Sequence, residues 1–430
     1  MIRKYLVVVL LAAAAASAQQ VPSSTQGGSA PPQLLTLDDV IREVQASNPA
    51  IAGSQRLIEA QQRRVVTAGA LPDPTLTVAY AGSAVPFKTI EMDPMSNRGV
   101  SVMQMLPLAG KRELRREMAR KEVSASEADR AAVVRRLVSE AKAAYFEYWY
   151  QTRALEITAR NKARLQQLAE ISGARYKVGK AMQQDVLRAQ VELSMLLQRS
   201  IMLEQQRETA AARLNTLMGR PSGAVLPPPA DVTPPSLPPV PALLAAAQQN
   251  DPMLQRELAM VERGKVAVAM AKKEYVPDLS VGYMYQRSAM GTNMYGLQVG
   301  VNLPIFYRSK QREGVEQAKL ELQASEQSRE SRKLELAYEL KQMHAMAVTA
   351  RNMLDLYENA IIPQAELALQ SAQASYTVGS ADFLTVVTNF STIHSYQTDY
   401  YRQVADVHTA LARIEALTGD LTQIGREAKQ

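Results

Sequence analysis

No cysteine occurs anywhere in the 430 residues, which excludes disulfides, thiolate metal sites and a lipidated N-terminal cysteine. Histidine is nearly as scarce: His344, His394 and His408 are isolated, and no two form a His-x-x-x-His pair. Gly-x-Ser-x-Gly and His-Glu-x-x-His are also missing, so a hydrolase finds no support, the chain reads as no enzyme, and no cofactor is implied. Long apolar runs are lacking too. Tyr5–Ala16 is apolar, follows Arg3 and Lys4, and ends in Ala16-Ser17-Ala18. It falls short of the ~20 residues a spanning helix needs, and its three regions are those of a secretory signal cleaved after Ala18. If the mature chain crosses a membrane, it must do so as strands. Nor is there a block of one charge. The formal +7 is carried by Lys and Arg interleaved with Glu and Asp, as in Glu117/Lys121 and Glu335/Glu339 near Lys341. That pattern is a solvated helix surface, not a nucleic-acid patch.

What is present is a stretch written twice, Tyr176–Gly219 and Tyr376–Gly419. Tyr376, Val378, Gly379, Val386, Ala410, Arg413, Leu417 and Gly419 each lie 200 positions after an identical residue. In the first copy Val186, Ala189, Leu193, Leu196, Ser200, Leu203, Arg207, Ala210, Leu214 and Leu217 alternate in steps of three and four. A mean step of ~3.5 residues keeps one helix face in a seam and implies left-handed coiling against neighbours. The second copy keeps the pattern with polar breaks at Asn389 and Gln403. Each helix follows a Tyr-x-Val-Gly turn and closes on a glycine suited to a left-handed cap.

In chain order, residues 1–18 form the leader and 19–36 an extended arm rich in Ser, Gly, Pro and Gln. The first repeat spans 37–219, with Thr36 or Asp38 capping its first helix and Asn48-Pro49 breaking it. Alternating apolar residues predict strands at about 75–84 and 99–106, after Leu71-Pro72-Asp73-Pro74. A proline-free helical run follows Gly110, and its aromatic cluster Tyr145–Tyr150, with the single tryptophan, reads as packing. Residues 220–242 are a proline-rich linker. The second repeat spans 243–419, with strands at about 279–287 and 295–303, a kink or interruption at Pro363, and a tail at 420–430.

Each half therefore supplies one hairpin of roughly nine-residue strands, near the ~9–11 residues of a tilted membrane strand. A soluble hairpin is the commoner source of such alternation, but here only long helices flank the strands, so no sheet covers the apolar face. Four strands cannot close a barrel, and open edges are not tolerated in lipid, so several copies must share one barrel.

With these elements in place, the chain resembles the TolC-like outer-membrane efflux proteins over nearly everything after the arm. The resemblance rests on the paired Tyr-x-Val-Gly turns, on Leu71-Pro72-Asp73-Pro74, and on the Pro107 and Pro304 strand-to-helix junctions. It implies a mainly α fold with a small β part: long coiled helices forming an α-helical barrel, and four strands per protomer completing a twelve-strand barrel as a homotrimer. It further implies a cell-outer-membrane channel spanning into the periplasm and in contact with outer-membrane lipid. The turns Tyr176, Val178, Gly179, Lys180 and Tyr376, Val378, Gly379, Ser380 would form the tip where a periplasmic adaptor, a membrane fusion protein, docks. An inner-membrane resistance–nodulation–division pump would supply the energy, leaving this component a passive duct.

Val102–Arg112, with its Gly110-Lys111 pair, is similar to the branch serving heavy-metal exporters, and Glu91-Met92-Asp93-Pro94-Met95 resembles copper and silver exporters. Methionine also clusters at both hairpins: Met92, Met95, Met103 and Met105, then Met284, Met290 and Met294. Thioether sulfur suits Cu(I) or Ag(I), although methionine also fills irregular apolar space. Met92, Met95, Met284, Met290 and Met294 are the candidate metal residues. The chain departs from the family pattern at the pore constriction. The positions six and nine after Gly379, acidic in many members, are Thr385 and Thr388, which with Asp185 and Asp382 are the gate candidates. Three functions remain in view. They are a metal-exporting outer-membrane channel, the same channel for drugs or type I secretion, and a periplasmic coiled-coil protein without a pore. Membrane fractionation separates the last from the others.

Overall fold

The computed structural model describes residues 34–82, 96–234 and 237–419. The expected leader, most of the arm, Met92, Met95 and the 420–430 tail lie outside them. Thr36 caps α1 (Leu37–Ser47), its hydroxyl oxygen accepting the Asp39 N–H at 3.2 Å. Asn48 then ends α1 and caps α2 (Pro49–Ala68), accepting the Ala50 N–H; Pro49 sits in the first turn, where its missing donor is harmless. A hairpin of β1 (Thr75–Ala81) and β2 (Asn97–Leu106) follows. Next comes α3 (Lys111–Lys177), 67 residues in one helix, ~100 Å at 1.5 Å per residue. Helix α4 (Gln183–Leu217) packs back along it.

The second half repeats the order with α5 (Val240–Asn250), α6 (Pro252–Lys273), β3 (Asp278–Ser288), β4 (Asn293–Asn302) and α7 (Gln311–Leu356). After a π turn at Tyr357–Ile361 come α8 (Ile362–Thr377) and α9 (Phe383–Thr418). Helix α5 begins inside the stretch expected to be linker, because Pro241 falls in its first turn and needs no partner there.

The seam predicted for α4 is the face it buries: each of its ten positions is buried or half-buried, Ala189 and Leu214 completely. The matching positions of α9 behave alike, and Asn389 and Gln403 are half-buried. The predicted interruption at Pro363 takes the form of the π turn just before it. Glu122, Ala125, Ser126, Glu140 and Lys142 recur as Glu321, Ala324, Ser325, Glu339 and Lys341, an offset of 199, whereas Tyr176 and Tyr376 are 200 apart. The π turn lies between the two regimes. Its wider i→i+5 loop holds one extra residue and keeps both helical faces in phase.

The aromatic cluster is core. Tyr145, Phe146, Tyr148, Trp149 and Tyr150 pack with Leu203 and Leu214 of α4, Val407 and Ile414 of α9, and Leu226 of the linker. The linker is thereby docked, not free. Leu35 donates its N–H to Pro228 O, Ala230 donates to Leu35 O, and the Tyr145 hydroxyl donates to Leu35 O at 3.0 Å. Proline lacks an N–H but keeps its carbonyl, so a proline-rich segment can still accept.

The four strands form one antiparallel sheet in the order β1-β2-β3-β4. Its register pairs Leu76 with Val102, Val102 with Tyr283 and Tyr283 with Leu297. One face therefore carries Leu76, Val78, Val100, Val102, Tyr283, Leu297, Val299 and Val301, all exposed. The opposite face carries Thr75, Thr77, Ser101, Ser280, Gln286 and Gln298. No described helix is long and apolar enough to cross a membrane.

Candidate functional site

The two Tyr-x-Val-Gly turns fold alike. Gly179 and Gly379 have φ of 75° and 81°. The Lys180 N–H donates to Arg175 O at 2.8 Å, and the Ser380 N–H to Ser375 O at 2.9 Å. These are the long-range bonds that close helices ending on a left-handed glycine. The turns also meet. Arg175 donates to Thr377 O across 2.8 Å, and its guanidinium lies 4.8 Å from the Tyr376 ring. Tyr376 is buried against Phe383, while Tyr176, Val178 and Val378 are exposed, the valines by 68% and 79%. Two apolar side chains are thus held in the open at the ends of long helix pairs. Lys180 and Ser380 are exposed beside them.

The gate candidates divide. Asp185 is buried at the start of α4, where its carboxylate accepts the Met182 N–H, so it serves the helix end. Asp382 caps α9, accepting the Leu384 N–H, and remains exposed. Thr385 and Thr388 lie three apart on one exposed stripe of α9, with Asp382 at its start. Deeper in the helices, His394 takes a 3.0 Å hydrogen bond with the Asn161 amide, and His408 stacks on Phe146. Burial pushes both imidazoles down to about 4, with Arg199 adding to the effect at His394.

The hairpin methionines fall on one side. Met103, Met105, Met284 and Met294 all occupy the Thr/Ser/Gly/Gln face of the sheet. Met103 opposes Gly282, Met284 opposes Gly296, and Met294 opposes Gln286. Met103, Met284 and Met294 are therefore successive diagonal neighbours across three strands, at ~7–8 Å steps. Met290 is exposed in the β3–β4 turn.

Sequence reasoning missed one charged centre. Lys111, at the start of α3, is 1% exposed. Its Nζ donates to Asp278 Oδ1 and Val276 O, both at 2.9 Å, with Glu274 at 3.6 Å. The same Asp278 oxygen accepts the Leu108 N–H. A lysine from one repeat thus holds the strand entrance of the other. In the sequence Lys111 stands out only as part of the Gly110-Lys111 pair, and nothing local marks Asp278, 167 positions on, as its partner.

With the geometry established, comparison places the chain among known proteins. The model of the outer membrane efflux protein family matches residues 40–220 and 243–420. The cobalt-zinc-cadmium resistance protein CzcC of Cupriavidus metallidurans is 21% identical over 394 residues, covering 90% of each chain. Among solved structures, CusC, described through conformational changes accompanying folding and transmembrane channel formation, superposes with a TM-score of 0.77 at 15% identity. That match covers 89% of this chain and 92% of CusC. The outer membrane protein VceC of Vibrio cholerae gives 0.74 at 16% identity, covering 89% and 96%.

Proposed function

Because this chain belongs to the outer membrane efflux protein family, we propose that three copies build a passive channel through the outer membrane, the outer component of a tripartite efflux pump. The sheet carries the reading. It has one exposed apolar face, one small or polar face, two open edges, and helices ~100 Å long attached at one end. The apolar face suits lipid and the polar face a water-filled interior. Open edges in lipid require closure by further strands, and three copies of four give a twelve-strand barrel. The paired turns at the far end, with Val178, Val378, Lys180 and Ser380 outward, suit a periplasmic adaptor. The adaptor would in turn couple the duct to an inner-membrane resistance–nodulation–division pump. Thr385, Thr388 and Asp382 are the remaining gate residues, since all three are exposed whereas Asp185 is buried at its helix end. The test is conductance. Purified protein in a planar lipid bilayer should give discrete ion-conducting steps; a detergent-independent protein with no conductance would favour the coiled-coil alternative.

For cargo, the reading is metal cations. It draws on similarity to a cobalt-zinc-cadmium resistance protein and on the diagonal of thioethers along the polar face. Soft sulfur favours Cu(I) or Ag(I) over hard ions. Leucine keeps volume and removes the sulfur. Replacing Met92, Met95, Met284, Met290 and Met294 by Leu should leave channel yield intact and lower copper or silver tolerance in a strain depending on this chain. Unchanged tolerance would mean these residues fill space and cargo is chosen by the pump.

A further inference from the structure

The joint between β2 and β3 is where the two repeats meet inside one chain, and it serves as a template for the joint between copies. Strands β1 and β4 are the sheet edges, without a partner among the described residues. In a closed barrel they must pair with each other across copies, so this inference rests on the trimeric reading above.

The repeat says which residues would meet there. Leu71-Pro72-Asp73 corresponds to Val276-Pro277-Asp278, and Leu106-Pro107 to Leu303-Pro304. Substituting equivalents into the observed β2–β3 register sets Val301 opposite Leu76, Val299 opposite Val78 and Leu297 opposite Tyr80. It sets Asn302 opposite Thr75 and Gln298 opposite Ala79. Leu76, Val78, Tyr80, Leu297, Val299 and Val301 then fall together on the apolar face, and Thr75, Thr77, Gln298 and Asn302 on the other. A slip of one residue would have mixed them.

The charged lock has a counterpart as well. The helical offset of 199 carries Lys111 onto Lys310, and the strand equivalence carries Asp278 onto Asp73. Within one protomer both are exposed, and among the described residues neither side chain makes a hydrogen bond or ion pair. Lys310 directly precedes α7 as Lys111 opens α3. Arg308, the nearest rival, falls out of that phase and lies against the Tyr307 ring.

We propose that Lys310 of one copy pairs with Asp73 of the next, in the register Val301–Leu76, Val299–Val78 and Leu297–Tyr80. This pair is the intermolecular form of the Lys111–Asp278 lock. The trimer is then pinned three times within chains and three times between them at the level where the sheet meets the helices.

The cysteine-free chain makes the register directly testable. Opposed residues approach to ~4.5–5.5 Å between Cβ atoms and diagonal ones to ~7–8 Å, and only the former suits a disulfide. Oxidised membranes carrying Ala79→Cys with Gln298→Cys should give covalent dimers and trimers on a non-reducing gel; Thr77→Cys with Gln298→Cys should give none. For the lock, Lys310→Glu or Asp73→Lys alone should speed trimer dissociation in detergent by roughly tenfold or more. The double reversal should restore the wild-type rate, and Arg308→Glu should leave it unchanged. A wild-type chain that is monomeric in detergent would overturn the trimer itself. A trimeric wild type in which the 79–298 pair stays unbridged, or the 77–298 pair bridges, overturns the register alone. Charge reversals without effect, or a double reversal that fails to rescue, overturn the lock.

Discussion

Gly179 and Gly379 hold a backbone conformation that L side chains avoid, and an added Cβ would meet nothing within 4 Å at either position. A substitution there is penalised by strain alone, about 1–2 kcal/mol for a residue forced into the left-handed region. Gly179→Val or Gly379→Val should therefore weaken adaptor crosslinking and export while membrane insertion persists; full export by both variants would remove the tip from the mechanism. The buried histidines set a second expectation. With imidazoles held at about 4 against the ordinary 6.5, the unfolded chain takes up protons first as pH falls. Their stability contribution is complete above pH ~6.5 and is lost as pH drops through ~4, on the order of 3 kcal/mol each. Thermal midpoints between pH 7 and 4.5 should fall less steeply in the His394→Gln, His408→Gln double variant than in wild type, and parallel curves would refute the assignment. At this scale the sequence is only partly legible. The tip glycines announce themselves by repetition. Arg175 does not, because its partner Thr377 is 202 positions away and nothing local marks an arginine for that role. Lys111 is marked by the Gly110-Lys111 pair, but its partner Asp278 lies 167 positions on and is not.

Among the elements, the strands and the α4 seam could be read from period alone, since burial on one face forces the alternation. The proline-rich linker could not, because carbonyls available to Leu35 and Tyr145 leave no trace in composition. The π turn was half visible: Pro363 marked the place, but the change of offset from 200 to 199 needed both repeats aligned along α3 and α7. Its structural reading is testable. Removing Asn359 together with Pro363→Ala deletes the extra residue and restores the missing donor. The segment should then close into continuous α-helix with both flanks in phase, and export should survive. Removing Gln198 from α4 instead turns every later seam residue by ~100° and should abolish assembly. Loss of export in the first variant would mean that the π turn is needed for more than phase.

At the level of the whole molecule, an apolar sheet face with two open edges cannot persist alone. Light scattering of the purified mature protein should give a detergent-requiring oligomer with the mass of three chains; a compact soluble monomer would end the channel reading. The helices add a property of their own, which is leverage. Helix α3 is fixed at its first residue by the Lys111 lock and gripped midway by the aromatic core, and beyond Tyr150 it runs on to Lys177 packed through Leu165 against α4, α8 and α9, so that these helices together form an arm of ~40 Å at 1.5 Å per residue. An arm of that length converts a 5° deflection at its fulcrum into about 3.5 Å of travel at the tip. Strain too small to disturb a packed core is thus enough to move Val178 by about the width of a methyl group.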